Sequence, residues 1–385
     1  MGLAGDCIEA LSNPPTSIES IFPNLCIVGL HEPNVTVAPL IQHLTNPELT
    51  DISLDHVKNL GTEINDFTES CPDVTGFHMS HWAHAATISG LICHWQNLSS
   101  VQCYDIALGV DALSHLSCLC NLLDMSFKVH DAVVDQIPST QSSTPSLSFL
   151  ALHCLFLLSD SLTPVWRLLH HFRLTVVHDL SVGLHIHLSA PDLMSFFMAL
   201  QEACAHHDSL NYLSLCAYER ESESNNLSLK AVFQYYITFD CLRPLAAFVN
   251  IKSITLNIPC GVNLNEDQFL CLASSWPHLE SFKVGEHYDW TPSSTFTPGG
   301  FLKLLERCRS LRVLFFMFDA CGYTEIPQGH PWCGLTMPKN TFLHLLNSPI
   351  EEASIEALGV FFHVAPYPDF NLTTHWNNLY FQGSE

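Results

Sequence analysis

The sequence predicts an α/β solenoid, in which short parallel strands stack side by side and a helical or irregular segment returns the chain after each. Two observations carry that prediction. A six-residue frame, apolar-x-x-apolar-x-apolar, recurs along most of the 385 residues, and apolar stripes of helical period open just after turn residues. A third observation supports them: several copies of the frame are introduced alike, by Phe22-Pro23-Asn24, Cys71-Pro72-Asp73 and Trp276-Pro277-His278.

The frame reads Leu25/Val28/Leu30, Leu49/Ile52/Leu54, Val74/Phe77/Met79, Leu98/Val101/Cys103, Cys120/Leu123/Met125 and Leu147/Leu150/Leu152. It continues at Leu210/Leu213/Leu215, Ile251/Ile254/Leu256, Leu279/Phe282/Val284, Leu311/Leu314/Phe316 and Ile350/Ala353/Ile355, with Leu174/Val177 a degenerate copy. Early copies start 24, 25, 24, 22 and 27 residues apart, the period of a leucine-rich repeat. Later ones stretch to about 28–41, which predicts insertions or longer return segments in the C-terminal half.

The fourth and sixth residues of the frame fall on one side of a short strand and the fifth on the other. One such strand cannot bury its apolar side alone, so stacked copies are expected to form a parallel concave sheet, with the return segments as the convex layer of a horseshoe. Helices are expected over 193–200, after Ala190-Pro191-Asp192, over 301–305, after Thr297-Pro298-Gly299-Gly300, and over 342–346, after Pro338-Lys339-Asn340-Thr341. The expectation is a single solenoid over residues 1–376. Polar stretches at 136–145, 219–227 and 291–300 read as surface excursions, and 322–338, with Trp332 and Cys333, as an insertion able to cover one end of the sheet. Residues 377–385 contain Asn378-Leu379-Tyr380-Phe381-Gln382-Gly383-Ser384, a tobacco-etch-type protease site with Asn377 in place of Glu. A tag remnant and a native tail both fit it, and it is not part of the expected solenoid.

Composition narrows the function. With 14 Lys plus Arg against 38 Asp plus Glu, the formal net charge is -24, the wrong sign for replacing counterions on a phosphate backbone, so nucleic acid is not an expected partner. The 16 cysteines are scattered singly through apolar runs, as free buried thiols of a reducing compartment are. Met1-Gly2-Leu3-Ala4-Gly5-Asp6 has no basic region followed by an apolar core, and the apolar run 147–158 is too short to cross a bilayer, which takes about 20 residues. These features predict a soluble intracellular protein, cytoplasmic or nuclear, with no membrane partner.

The signatures of nucleotide, phosphate and serine-hydrolase sites (Gly-x-Gly-x-x-Gly, Gly-x-x-x-x-Gly-Lys-Ser/Thr, Gly-x-Ser-x-Gly) are absent, as are Cys-x-x-Cys and His-Glu-x-x-His. No cofactor or metal is expected, although there are 23 histidines and His78, His81 and His84 are spaced three apart. The fifth and seventh residues of each frame line the concave face, which nominates His31, Asp55, His78, Gln102, Tyr104, Asp124, His153 and His178 as binding residues. Neighbouring strands lie about 4.8 Å apart, so His31 is expected beside Asp55, and His78, Gln102, Tyr104 and Asp124 in one patch. Two uses follow: a mixed surface that grips a protein, or a small-molecule site, catalytic or not, in which His78 is acid or base, oriented by Asp124 or Asp55.

The stretches Ile251-Lys252-Ser253-Ile254-Thr255-Leu256-Asn257-Ile258-Pro259, Trp276-Pro277-His278-Leu279-Glu280-Ser281-Phe282 and Cys308-Arg309-Ser310-Leu311-Arg312-Val313-Leu314 resemble the leucine-rich-repeat part of mushroom-type fungal F-box proteins. The resemblance covers the repeats up to Ile355 and is most specific after residue 240. It implies a substrate receptor of a cullin-type ubiquitin ligase whose repeat face chooses the client. An F-box would need some 40–50 residues ahead of the repeats, more than residues 1–24 offer.

Overall fold

The computed structural model describes residues 24–31, 44–55, 66–80, 85–138, 147–185, 190–218, 236–285, 298–315, 342–344 and 371–373. The chain divides into two compact units, residues 1–183 with 202–206 and residues 184–201 with 207–385. Each is an α/β leucine-rich-repeat stack, as the frame predicts.

In the first unit the parallel strands β1 (Ile27–His31), β2 (Asp51–Asp55), β3 (Gly76–Ser80), β4 (Ser100–Ala107) and β5 (Asp124–Val129) lie in sequence order. A short strand β6 (Leu147–Phe149) stands outside that sheet, which continues with β7 (Cys154–Ser159) and, beyond β8 (Phe172–Leu174), β9 (Asp179–Leu184). β6 and β8 pair with each other as a second small sheet, where the rings of Phe149 and Phe172 meet at 4.9 Å. The second unit repeats the plan. Strands β10 (Tyr212–Ala217), β12 (Ser253–Asn257), β14 (Ser281–Val284), β15 (Val313–Phe315), β16 (Phe342–His344) and β17 (Asn371–Thr373) are neighbours in that order, and β11 (Tyr236–Thr238) pairs with β13 (Gly261–Asn263).

One hydrogen-bond device sets the register. The carbonyl of the second frame residue accepts two backbone N–H groups from the next repeat. Cys26 takes those of Thr50 and Asp51, Thr50 those of Thr75 and Gly76, Thr75 those of Ser99 and Ser100, Ser99 those of Leu123 and Asp124, Leu123 those of His153 and Cys154, and His153 those of His178 and Asp179. The second unit does the same from Asn211, Lys252 and Glu280. Both strand-entry donors are thereby satisfied at the sheet edge, where a buried unpaired N–H would be costly.

The fourth and sixth residues are buried as expected: Ile52 and Leu54, Phe77 and Met79, Val101 and Cys103. A further core position lies three residues ahead of the frame and is filled by Asn46, Cys71, Trp95, Leu119, Phe248, Trp276 and Cys308. The two tryptophans there each donate an indole N–H to a carbonyl of the preceding repeat, Trp95 to Cys71 at 2.9 Å and Trp276 to Leu245 at 3.0 Å. Asn46 bonds back in the same way, to the carbonyl of Leu25 at 3.1 Å.

Helices supply the other layer where expected, at Ala190–Ala203 and Pro298–Arg307, with others at Ala85–Ile92, Val110–Ser117, Leu162–Leu169 and Glu266–Ser274. The helix expected over 342–346 is instead strand β16, in register with β15 through Leu314 and Leu343. An apolar run of this length fits either element, and pairing with a neighbouring strand decides it.

Three copies of the frame sit in a different register from the expected one. The fifth repeat is Leu122/Met125/Phe127, the sixth Leu152/Leu155/Leu157 and the seventh Val177/Leu180/Val182. Leu123 and Leu150, expected in the core, are exposed, Leu150 by 62%. The thiols are also less uniformly buried than expected: Cys71, Cys103, Cys204, Cys241, Cys260 and Cys308 are buried, whereas Cys26, Cys118, Cys120 and Cys271 are exposed, and all of these are free. The expected copy at 350–355, the insertion 322–338, the excursion 219–227, most of the excursions at 136–145 and 291–300, and the tail 377–385 lie outside the described residues. No helix among the described residues is long and apolar enough to cross a membrane.

Candidate functional site

The open face of the first unit's sheet is built from the third, fifth and seventh frame residues. The fifth-residue row is continuous across five strands: Ser53, His78, Gln102, Ser126 and Phe156 are cross-strand partners in turn. The third-residue row runs Asp51, Gly76, Ser100, Asp124 and Cys154 in the same way. A Cβ at position 76 would sit 2.2 Å from Asp51 Oδ1, so any larger residue there needs that carboxylate to swing away.

Four of the expected residues meet. Asp55 Oδ1 lies 2.9 Å from His78 Nε2 and accepts the Ser80 hydroxyl at 2.7 Å. Nδ1 of the same imidazole is 3.1 Å from Gln102 Oε1, which also accepts the Tyr104 hydroxyl at 3.1 Å. A carboxylate has no proton to give, so Nε2 carries the N–H. In a neutral His78, Nδ1 is then the acceptor and Gln102 must turn its amide NH2 toward it. In an imidazolium both nitrogens donate, and the oxygen faces the ring.

Tyr104 sits where β4 bulges against β5: Cys103 pairs with Phe127 but Ala107 pairs with Lys128. The bulge aims the tyrosine ring along the face, where it touches His78 at 5.7 Å and Phe156 at 5.5 Å, both edge to face. Three residues, Tyr104, Asp105 and Ile106, lie between those two pairs, and such re-aiming is a common consequence of extra residues in a strand. Beneath these rings Ser126 is buried, and its hydroxyl has no hydrogen-bond partner among the described residues.

The remaining expected residues fall elsewhere. Asp124 belongs to the third-residue row, opposite Ser100, two residues along the strand from the row of Gln102. It therefore does not orient His78; Asp55 does. His153 and His178, expected in the seventh and fifth rows, both occupy the second frame position at the sheet edge, where their rings lie 5.0 Å apart. The backbone of His31 pairs with Asp55, as expected, while its side chain lies outside the described residues, as do His81 and His84.

The register also creates a group that the sequence reading missed. Cys154 lies between Asp124 and Asp179, and its thiol donates to Asp179 Oδ2 at 3.6 Å. Burial, with Asp124 and Asp179 beside it, pushes this thiol up to about 12. The other oxygen of Asp179 is buried and has no donor among the described residues. Among the described residues no group of three or more His, Cys, Asp or Glu side chains is arranged to hold a metal ion.

Neither protein-family profiles nor curated protein sequences match this chain. Among solved structures it is similar to an internalin (inlF) from Listeria monocytogenes, at 9% identity over 91% of this chain and 78% of that one, with a TM-score of 0.38. It is also similar to the Rad7 and Elc1 complex in yeast, at 14% identity over 86% of each chain, with a TM-score of 0.39.

Proposed function

We propose that the open face of the first unit's sheet is a protein-recognition surface, with Asp55, His78, Gln102 and Tyr104 at its centre. The carrying observation is the hydrogen-bonded chain through these four side chains. Ordering them before a partner arrives lowers the entropy lost on binding, and a part-exposed tyrosine held at a bulge is the kind of rigid amphipathic group that anchors interfaces.

The second reading, a small-molecule or catalytic site, draws on the 2.9 Å Asp55–His78 contact, which is the geometry of an oriented acid or base. The recognition reading is favoured because both ring nitrogens of His78 are engaged within the chain, which leaves neither open to a substrate.

Within the recognition reading, the resemblance of the later repeats to the fungal F-box group suggests the more specific role of client receptor for a cullin-type ubiquitin ligase. Affinity purification of the intact chain beside a His78→Ala/Tyr104→Ala variant, followed by hydrogen exchange on the purified complex, tests both levels. A protein lost with the variant that protects residues 76–80 and 100–107 supports recognition by this face, and cullin-ligase subunits in the same eluate support the narrower role. A captured partner that leaves those residues unprotected overturns the assignment.

A further inference from the structure

We propose that Asp124, Cys154 and Asp179, with Ser126 and Phe156, form a subsite for an arginine side chain of a protein partner. The inference rests on the recognition reading of this face and names the chemistry of what it holds.

The placement comes from register. Asp124 and Cys154 are cross-strand partners, and the paired bonds that His178 and Asp179 donate to the His153 carbonyl repeat those that His153 and Cys154 donate to the Leu123 carbonyl, so Asp179 flanks Cys154 on its other side. Two carboxylates thus stand two strands apart, about 10 Å at backbone level, with a small thiol as the floor between them. One row along, on the same face, come Ser126 and Phe156, again cross-strand partners.

Two observations beyond the acidic pair point to a donor-rich ligand. Among the described residues, Asp179 Oδ1 is buried and receives no hydrogen bond, and the Ser126 hydroxyl, in a residue only 4% exposed, has no partner. Buried acceptors without donors are costly in a folded chain and are normally satisfied. Neither Asp124 nor Asp179 forms an ion pair with a described Lys or Arg, whereas Lys128 at the far end of β5 is placed 3.5 Å from Asp160.

A guanidinium fits this arrangement better than an ammonium. Its planar fork carries five N–H donors, wide enough to reach carboxylates on both sides of Cys154 while others turn to the serine hydroxyl, and its plane stacks on an aromatic ring such as Phe156. A lysine ammonium is a point charge that reaches one side at a time.

The test is calorimetric titration of the full chain with the peptide acetyl-Gly-Arg-Gly-amide, beside its lysine and citrulline analogues and beside free agmatine. Citrulline keeps the shape and loses the charge. The arginine peptide should bind at least about tenfold more tightly than the lysine peptide, citrulline should give no saturable heat, and Asp124→Asn or Asp179→Asn should each weaken binding about tenfold. Phe156→Leu should narrow the preference for arginine over lysine. Asp131→Asn/Asp135→Asn, acidic residues on the helical layer that pair with Arg167, should leave it unchanged. Melting temperatures of the variants identify any that fail to fold.

Equal binding of citrulline and arginine, no binding of the arginine peptide, or indifference to both Asp→Asn changes would overturn the subsite. Tighter binding of agmatine than of the peptide would overturn its assignment to a protein partner. If the arginine peptide fails but a captured partner still protects residues 76–80 and 100–107, the recognition surface stands without the subsite; if the peptide binds and no partner protects that face, the reverse holds.

Discussion

Nε2 of His78 lies 2.9 Å from Oδ1 of Asp55, on the neighbouring strand, and this contact decides which way the imidazole faces. The Ser80 hydroxyl shares the same carboxylate oxygen, so one aspartate holds two side chains of β3. Nitrogen-detected NMR of histidine-labelled protein should find His78 protonated at Nε2 in its neutral form. Asp55→Ala should release both donors and destabilise the chain by about 1–2 kcal/mol in urea unfolding, the low end because the pair is part-exposed. Loss of the Nε2 signature without any loss of stability would show that Asp55 only orients the ring.

Trp95 fills the core position three residues ahead of its frame, and its indole N–H reaches the Cys71 carbonyl. Trp95→Phe keeps the contact with Phe77, now at 5.2 Å, but strands a buried carbonyl. A cost of about 2 kcal/mol in urea unfolding is expected. Trp276→Phe should cost less, about 1 kcal/mol, because the Leu245 carbonyl keeps the Phe248 N–H at 3.1 Å, and a near-zero effect at Trp95 would mean that water replaces the indole.

Cys154 should react slowly. Its thiol is pushed up to about 12 by burial and by the two flanking carboxylates, so almost no thiolate exists at pH 8. Disulfide exchange with an aromatic reagent should run more than about a hundredfold slower at Cys154 than at the exposed Cys118 and Cys120. Asp124→Asn/Asp179→Asn should accelerate it, since both carboxylates oppose ionisation.

His171 gives the fold a dependence on pH. Burial, then the neighbouring charges of His170 and Arg167, lower its affinity for a proton below that of an ordinary histidine. The unfolded chain therefore binds the proton more readily, so stability present above about pH 6.5 declines as the pH falls through that value toward the lower folded pKa. The melting temperature should drop between pH 7.5 and 5.5, and His171→Gln should flatten that drop; a steeper drop in the variant would reverse the assignment.

The repeat was legible because its cause is local. Leu25, Leu49, Val74 and Leu98 recur every 24 or 25 residues, and burying the fourth and sixth residues of each strand needs no knowledge of distant partners. From that alone the parallel α/β stack, its two alternating faces and the neighbourhood of His78, Gln102 and Tyr104 could be placed, with Asp55 and Asp124 both open as the group that orients His78. Beyond β4 the chain is so rich in leucine that the frame fits in more than one register. Cys120/Leu123/Met125 and Leu122/Met125/Phe127 satisfy it equally.

Only tertiary structure broke that tie, because the paired hydrogen bonds that Leu123 and Asp124 donate to the Ser99 carbonyl, and His153 and Cys154 to the Leu123 carbonyl, count residues where hydrophobicity does not. A slip of two kept Asp124 on the open face but moved it along the strand by about 7 Å, away from His78. A slip of five put Leu150 outside, and the corrected register brought His153 beside His178 and Cys154 between two aspartates. Composition and period determined the architecture, which averages over many residues; the site depends on single registers, and pairing across strands decides those.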